Sequence, residues 1–184
     1  MTSTDDRPPT VEEAYLTANH TSNLRVVADK RGAADVIIAA GWSDSRVGMA
    51  LIRLAGEWDG AEKRPRMSET DLILLRCKLK SLTAVMAQVA WHMARRGMED
   101  PEGRAGPIVG HWLDQTCHGC HGLRFVAIRD TPALSAMRCR YCHGSGQSNP
   151  PPGSRDVLGW MDDAVSKGRA SMSRRLRKIG RAHV

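Results

Sequence analysis

Four of the five cysteines in this chain are spaced for one task. Cys117-His-Gly-Cys120 and Cys139-Arg-Tyr-Cys142 form a C-x2-C-x18-C-x2-C pattern, the interval of a structural zinc site. Each CxxC turns tightly enough to present two thiolates to one ion. Four thiolates close a tetrahedron and leave no open position for catalysis. Gly122 and Gly144 follow the second cysteine of each pair at the same distance, where the chain must turn beneath the sulfur and a positive φ is needed. The expectation is one structural Zn2+ held by Cys117, Cys120, Cys139 and Cys142. The alternative is a set in which His118, His121 or His143 replaces one cysteine. His121 and His143 hold equivalent places after their CxxC units, which fits a paired structural role better than ligation. A redox CxxC needs only one such motif and a surrounding βαβ pattern, which is missing. Cys77 falls within a helical stretch and reads as a small buried hydrophobe.

A closed zinc site replaces an apolar core for a segment too short to build one. Here it would hold Arg124, Arg129, Arg138 and Arg140 on a small rigid knuckle, facing phosphate or a protein partner. A second cationic group lies in Ser171–Ile179. Helical spacing puts Met172, Leu176 and Ile179 on one face and Arg174, Arg175, Arg177 and Lys178 toward the others. The preceding segment buries Val157, Leu158, Met161 and Val165. With Ser166-Lys-Gly-Arg169 as a turn, Arg155–Val165 and Ala170–Ile179 read as a helix-turn-helix. Its second helix would present Ser173 or Arg174 to base edges, with Arg175, Arg177 and Lys178 beside them and the last two on phosphates. An upstream pair of the same length, Ala33–Ala40 and Ser43–Leu54, offers only Arg46 and Arg53 and reads as packing or protein contact. Carboxylates are scattered, and GxSxG, HExxH and a phosphate loop ending in Lys-Ser/Thr are all missing, so a non-enzyme is expected.

The charge pattern agrees with a phosphate partner. Residues 1–116 hold 15 basic and 16 acidic side chains, a net of −1, whereas residues 117–184 hold 12 and 4, a net of +8. A positive third joined to a neutral remainder fits nucleic acid. The other reading is a solvated basic tail.

These groups need elements to carry them. The chain has 184 residues and a hydrophobic share of 41%, enough for a core. Aromatics are 4%, and five of the eight are Trp, which disfavours a large β-sandwich and favours helices. The expected fold is mainly α, with a helical core, an inserted zinc knuckle and a short C-terminal helix-turn-helix-like segment. Residues 1–32 read as flexible, with a short helix opened by the capping box Thr10-Val-Glu-Glu13. Residues 33–116 read as the helical core. Within it, Ala33–Ala40 ends at Gly41, and Ser43 caps a helix striped by Val47, Leu51, Leu54 and Trp58. A linker spans residues 59–66. One long helix then starts at Ser68 and carries the stripe Leu72, Leu75, Leu79, Leu82, Met86, Val89 and Met93 to a Gly97 cap. Residues 98–107 read as a Gly/Pro loop, and Ile108–Gln115 as a short helix. Residues 117–146 form the knuckle, and 147–184 hold a polyproline-like spacer at Pro150–Pro152 and the basic helices. The longest uncharged apolar stretch, Ser81–Ala94, is too short to cross a bilayer. With a polar, acidic N-terminus, the chain reads as cytoplasmic and without a membrane partner. Oligomeric state is open.

The arrangement resembles the Q-type transcription antitermination proteins of lambdoid bacteriophages. Three stretches carry the resemblance: the block Ala39-Ala-Gly-Trp-Ser-Asp-Ser-Arg-Val-Gly-Met-Ala50, the paired CxxCxG motif complete at Cys139-Arg-Tyr-Cys-His-Gly-Ser-Gly146, and the order long helix, zinc knuckle, basic terminal segment with Ser173-Arg174. Together they span roughly residues 33–180 of this sequence. The resemblance implies a protein that binds duplex DNA at a phage late promoter, engages paused host bacterial RNA polymerase and makes it read through terminators. In one departure, Leu123 and Arg124 stand where the second unit has Ser145 and Gly146. The competing expectation is a zinc-ribbon RNA-binding or chaperone-like adaptor.

Overall fold

The computed structural model describes residues 9–24, 32–61, 69–128, 131 and 133–182. The chain is mainly helical. Its elements run α1 (Val11–His20), α2 (Ala33–Gly41), α3 (Arg46–Asp59), α4 (Glu69–Lys78), α5 (Leu82–Arg95), α6 (Pro101–Leu113), β1 (Phe125–Ala127), β2 (Leu134–Arg138) and α7 (Arg155–Ala182). They form two compact units, residues 1–59 with 161–184, and residues 60–160. The expected single core over 33–116 is therefore divided. Helices α2 and α3 belong to the first unit, and α4 to α6 to the second, together with the cysteines. No described helix is long and apolar enough to cross a membrane.

In the first unit, Thr10 starts α1 as its residue type predicts. Its Oγ1 accepts from the Glu13 N–H at 3.2 Å, and the Glu13 carboxylate accepts from the Thr10 N–H at 2.7 Å, so two otherwise unpaired helix-end donors are satisfied. Helix α2 buries Val36, Ala39 and Ala40. Ser45 rather than Ser43 begins α3, its Oγ accepting from the Gly48 N–H at 3.3 Å. Leu51, Leu54 and Trp58 are buried as the stripe requires, and Met49 and Ile52 widen that face.

The C-terminal segment departs from expectation. Arg155–Ala182 is one helix of 28 residues, so the helix-turn-helix read at 155–179 does not form. Gly168, taken for a turn residue, lies buried inside the helix. Its role is close approach: a Cβ there would stand 3.2 Å from the Gly48 carbonyl carbon on α3. A Cβ on Gly48 would in turn overlap the Ala164 carbonyl oxygen and stand 2.8 Å from its carbon. Two glycines thus let the backbones of α3 and α7 cross almost in contact. The Ser45 Oγ donates to the Ala164 carbonyl at 3.1 Å across the same crossing. Gly costs helix stability through backbone freedom, and here the crossing gives that residue its reason. Arg169 and Glu12 pair α7 with α1.

In the second unit, the long helix expected from Ser68 is interrupted between Lys78 and Leu82. The interruption contains neither Gly nor Pro, the usual breakers. Leu75, Leu79, Val89 and Met93 are buried, Leu82 and Met86 half-buried, and Val85 joins the core where the phase shifts. Ser68 and the Leu72 side chain lie outside the described residues. Cys77 is exposed, which corrects its reading as a buried hydrophobe. Gly97 caps α5 as expected, at φ 68°, with its N–H bonded to the Ala94 carbonyl and that of Met98 to the Met93 carbonyl.

Of the loop expected over 98–107, residues 98–100 stay outside any helix, and 101–107 are instead the first half of α6. Asp100 caps it, its Oδ1 accepting from the Gly103 N–H at 3.1 Å, and Pro101 takes the first helical position, where its missing N–H costs nothing. Asp-Pro was the available signal, outweighed in the sequence by Gly103, Gly106 and Pro107. Helix α6 packs on α5, burying Ala105, Ile108 and Val109.

Candidate metal centre

Helix α6 ends at Leu113 and delivers the chain directly into the cysteine cluster. The first CxxC precedes β1, the second follows β2, and the two strands pair antiparallel with Phe125 opposite Arg138. An isolated bridge between Thr116 and Gln147 closes the base.

The two halves repeat one local design 22 residues apart. His121 and His143 have φ of 48° and 51°, and Gly122 and Gly144 of 81° and 91°. The Leu123 N–H bonds the Cys120 carbonyl at 2.9 Å, as that of Ser145 bonds Cys142 at 3.0 Å. Each half also clasps the other: the Cys117 N–H bonds the Gly146 carbonyl at 3.0 Å, and the Cys139 N–H bonds the Arg124 carbonyl at 2.9 Å. Arg124, which departs from the CxxCxGxG pattern, sits at φ 69° where Gly146 has 81°. It therefore adopts the left-handed backbone of the missing glycine, at a cost of about 1–2 kcal/mol.

The consequence is convergence of the four sulfurs. Cys117 Sγ and Cys139 Sγ are 3.9 Å apart, and Cys120 Sγ and Cys142 Sγ 3.6 Å. All four lie within 4.8 Å of one another, and all four side chains are buried. With a thiolate–metal distance of about 2.3 Å, a regular tetrahedron has an edge of about 3.8 Å. The cluster thus fits one metal ion with four sulfur ligands. No histidine joins it among the described residues.

Electrostatics differ between the halves. Burial pushes the Cys120 thiol up to about 11, opposed by the Arg124 N–H. Burial acts upward most strongly on Cys142 too, but the N–H groups of Gly146 and Gly144 together with the thiols of Cys120 and Cys117 hold it below its ordinary value. N–H···S bonds favour the thiolate, the form that binds metal.

The surface of the knuckle is basic and partly aromatic. Arg124, Arg138 and Arg140 are exposed, and Arg129 lies outside the described residues. Arg138 runs beside Gly144 and Arg124 beside Gly146. The Arg140 guanidinium donates to the Tyr141 hydroxyl at 2.8 Å and stands 4.8 Å from its ring centre. The Pro-rich segment, expected as a stiff spacer, is tied down by hydrogen bonds. Ser148 N–H bonds the Gln115 carbonyl at 2.7 Å, its Oγ meets His111 Nδ1 at 3.1 Å, and Arg104 donates to the Pro152 carbonyl.

The other basic set lies in the first unit. Arg175 donates to Asp44 Oδ1 at 2.8 Å, and Arg174 stands 3.7 Å from Oδ2. Ser171 Oγ donates to Oδ2 at 3.2 Å and accepts from the Asp44 N–H at 3.0 Å. The hydrogen bond from Arg175, then that from Ser171, holds the Asp44 carboxyl below its ordinary value. Arg177 and Lys178 are exposed, and Ser173 is half-buried. The upstream pair α2 and α3 does form, but Gly48 and Met49 in the first turn of α3 are buried. The cysteines were legible as a site; Asp44 as the partner of Arg174 and Arg175 was not, because 131 residues separate it from Arg175.

The chain matches no family model, no curated protein and no solved structure.

Proposed function

We propose that this chain is a non-catalytic, zinc-stabilised protein that binds duplex DNA and acts as a transcription antiterminator of the phage Q type, engaging host RNA polymerase. The observation that carries the reading is the closed four-sulfur cluster with exposed Arg124, Arg138 and Arg140 around it. Zinc is the ion a buried all-thiolate tetrahedron suits best, and such a site is structural because no ligand position stays open. The cluster's binding energy is then local folding energy. The antitermination role itself rests on the resemblance of the Ala39–Ala50 block and the paired CxxCxG units.

The continuous α7 changes how the basic residues are used. There is no separate second helix whose first turn enters a groove. Arg177 and Lys178 in one unit, and the knuckle arginines in the other, are each suited to phosphate contacts rather than base reading. Arg174 and Arg175 share their charge with Asp44, so they are weaker contributors than a bare pair of arginines. Simultaneous contact with DNA and polymerase makes the second contact effectively intramolecular, and modest affinities suffice.

The test joins three measurements on the full chain. Elemental analysis should give close to one zinc per chain, lost in Cys139→Ser together with knuckle structure. Binding to promoter-region duplex should weaken steeply with salt. Addition to a polymerase transcribing past a terminator should raise read-through, and Arg138→Ala with Lys178→Ala should lower it. A zinc-loaded chain that binds no duplex and leaves termination unchanged refutes the functional reading while sparing the metal.

A further inference from the structure

The knuckle carries an aromatic group that phosphate binding does not use. Tyr141 lies between two ligands in the sequence, Cys139 and Cys142, and His118 follows Cys117 directly. Their rings meet at 5.2 Å and 50°. The Tyr141 ring rests against Gly119, where a Cβ would overlap its Cδ2 and stand 2.9 Å from Cε2. Any side chain at that position would push the ring away. Even so, Tyr141 is 47% exposed, and His118 and Arg140 are exposed as well.

We propose that Tyr141, His118 and Arg140 form a stacking site for an unpaired nucleobase, so that the knuckle takes a single-stranded nucleic acid. Three properties select that ligand. The ring is flat and anchored against Gly119 beside the four cysteines, so little freedom is lost on binding. The guanidinium of Arg140, fixed on the tyrosine hydroxyl, extends the platform with a planar cation that stacks on bases. The surrounding segment 117–146 has four arginines against one aspartate, a net of 4 − 1 = +3, which suits the backbone of the same strand. Aromatic stacking within a basic surface is how proteins hold single strands without reading sequence. The inference deepens the nucleic-acid reading above, and rests on it only for the class of polymer.

The experiment uses the metal-loaded full chain with short single-stranded DNA, single-stranded RNA and duplex DNA, the single strands bearing 5-iodouracil for photo-crosslinking. The wild type should bind single strands and crosslink at Tyr141 or His118. Tyr141→Leu, which keeps apolar bulk over Gly119 but no ring, should bind single strands about 5- to 150-fold more weakly, while Tyr141→Phe, which keeps the ring but removes the hydroxyl that fixes Arg140, should lose clearly less. Duplex affinity should be unchanged in both. Equal loss for DNA and RNA assigns the site to the base alone, and a loss confined to RNA adds a 2′-hydroxyl contact. Single-strand affinity unchanged in a metal-loaded Tyr141→Leu overturns the proposal. If that variant loses its metal, the crosslink map of the wild type decides, and adducts away from Tyr141 and His118 overturn it. Single-strand binding that persists without duplex binding refutes the duplex reading alone.

Discussion

Replacing Gly48 by Ala tests the close crossing of α3 and α7. In an exposed helix the change stabilises by about 0.5–1 kcal/mol, because Ala loses less backbone freedom than Gly. At Gly48 the new Cβ would overlap the Ala164 carbonyl oxygen and meet its carbon at 2.8 Å, where ordinary carbon contacts are about 3.5–4.0 Å. Both obstacles are backbone, so the helices must separate. Overpacking of this kind costs about 1–3 kcal/mol. Separation also strains the Ser45–Ala164 hydrogen bond, worth about 1 kcal/mol. Set against the propensity gain, the balance is a loss near 2 kcal/mol, and at about 4–8 °C per kcal/mol for a unit of this size, Tm falls by roughly 8–16 °C. Gly159 on the same α7 has nothing within 4 Å of a built Cβ, so Gly159→Ala should raise stability by about 0.5–1 kcal/mol. Thermal and urea unfolding followed by circular dichroism measure both. A Gly48→Ala protein that melts at or above the wild type, in step with Gly159→Ala, refutes the close crossing.

Other outcomes follow from the same structure. Lys167 is exposed inside α7, so Lys167→Pro should cost about 3 kcal/mol and lower helical ellipticity; near-neutral tolerance would mean a turn at 166–169. Arg124→Gly should remove the left-handed strain and slow chelator extraction of the metal, while reducing the salt slope of duplex binding by about one unit; faster extraction contradicts the strain argument. His92 stacks on Trp160 with ring centres 3.8 Å apart and 11° between planes, and its Nε2 is buried without a hydrogen-bond partner among the described residues. Burial, then the charges of Arg96 and Arg95, lowers its pKa. A base whose folded pKa is depressed binds more protons unfolded, so stability should fall as pH drops below about 6.5. His92→Phe, keeping the stack, should flatten that slope in unfolding titrations at several pH values.

The four converging cysteines were legible because their information is local. A CxxC turn and the glycine after it are set by neighbours a few residues apart, and the spacer only has to bring two such turns together. The Thr10 capping box, the Gly97 cap and the α3 stripe were readable for the same reason: each depends on contacts within one or two helical turns. Even the strained Arg124 follows from position, since its place in the 22-residue repeat corresponds to Gly146. What tertiary structure decided was the meaning of ambiguous residues. Gly168 has the composition of a turn, yet it serves an interhelical approach whose partner, Gly48, lies 120 residues earlier. Gly103, Gly106 and Pro107 weaken a helix, yet packing on α5 outweighs their local preference. The interruption before Leu82 has no breaker at all, and the buried Leu79 and Val85 mark packing as its setting. Asp44 was one acid among many until folding set it against Ser171, Arg174 and Arg175. Local chemistry names a ligand or a cap, but the role of a glycine or a charge depends on what the fold places against it, and no short-range pattern contains that neighbour.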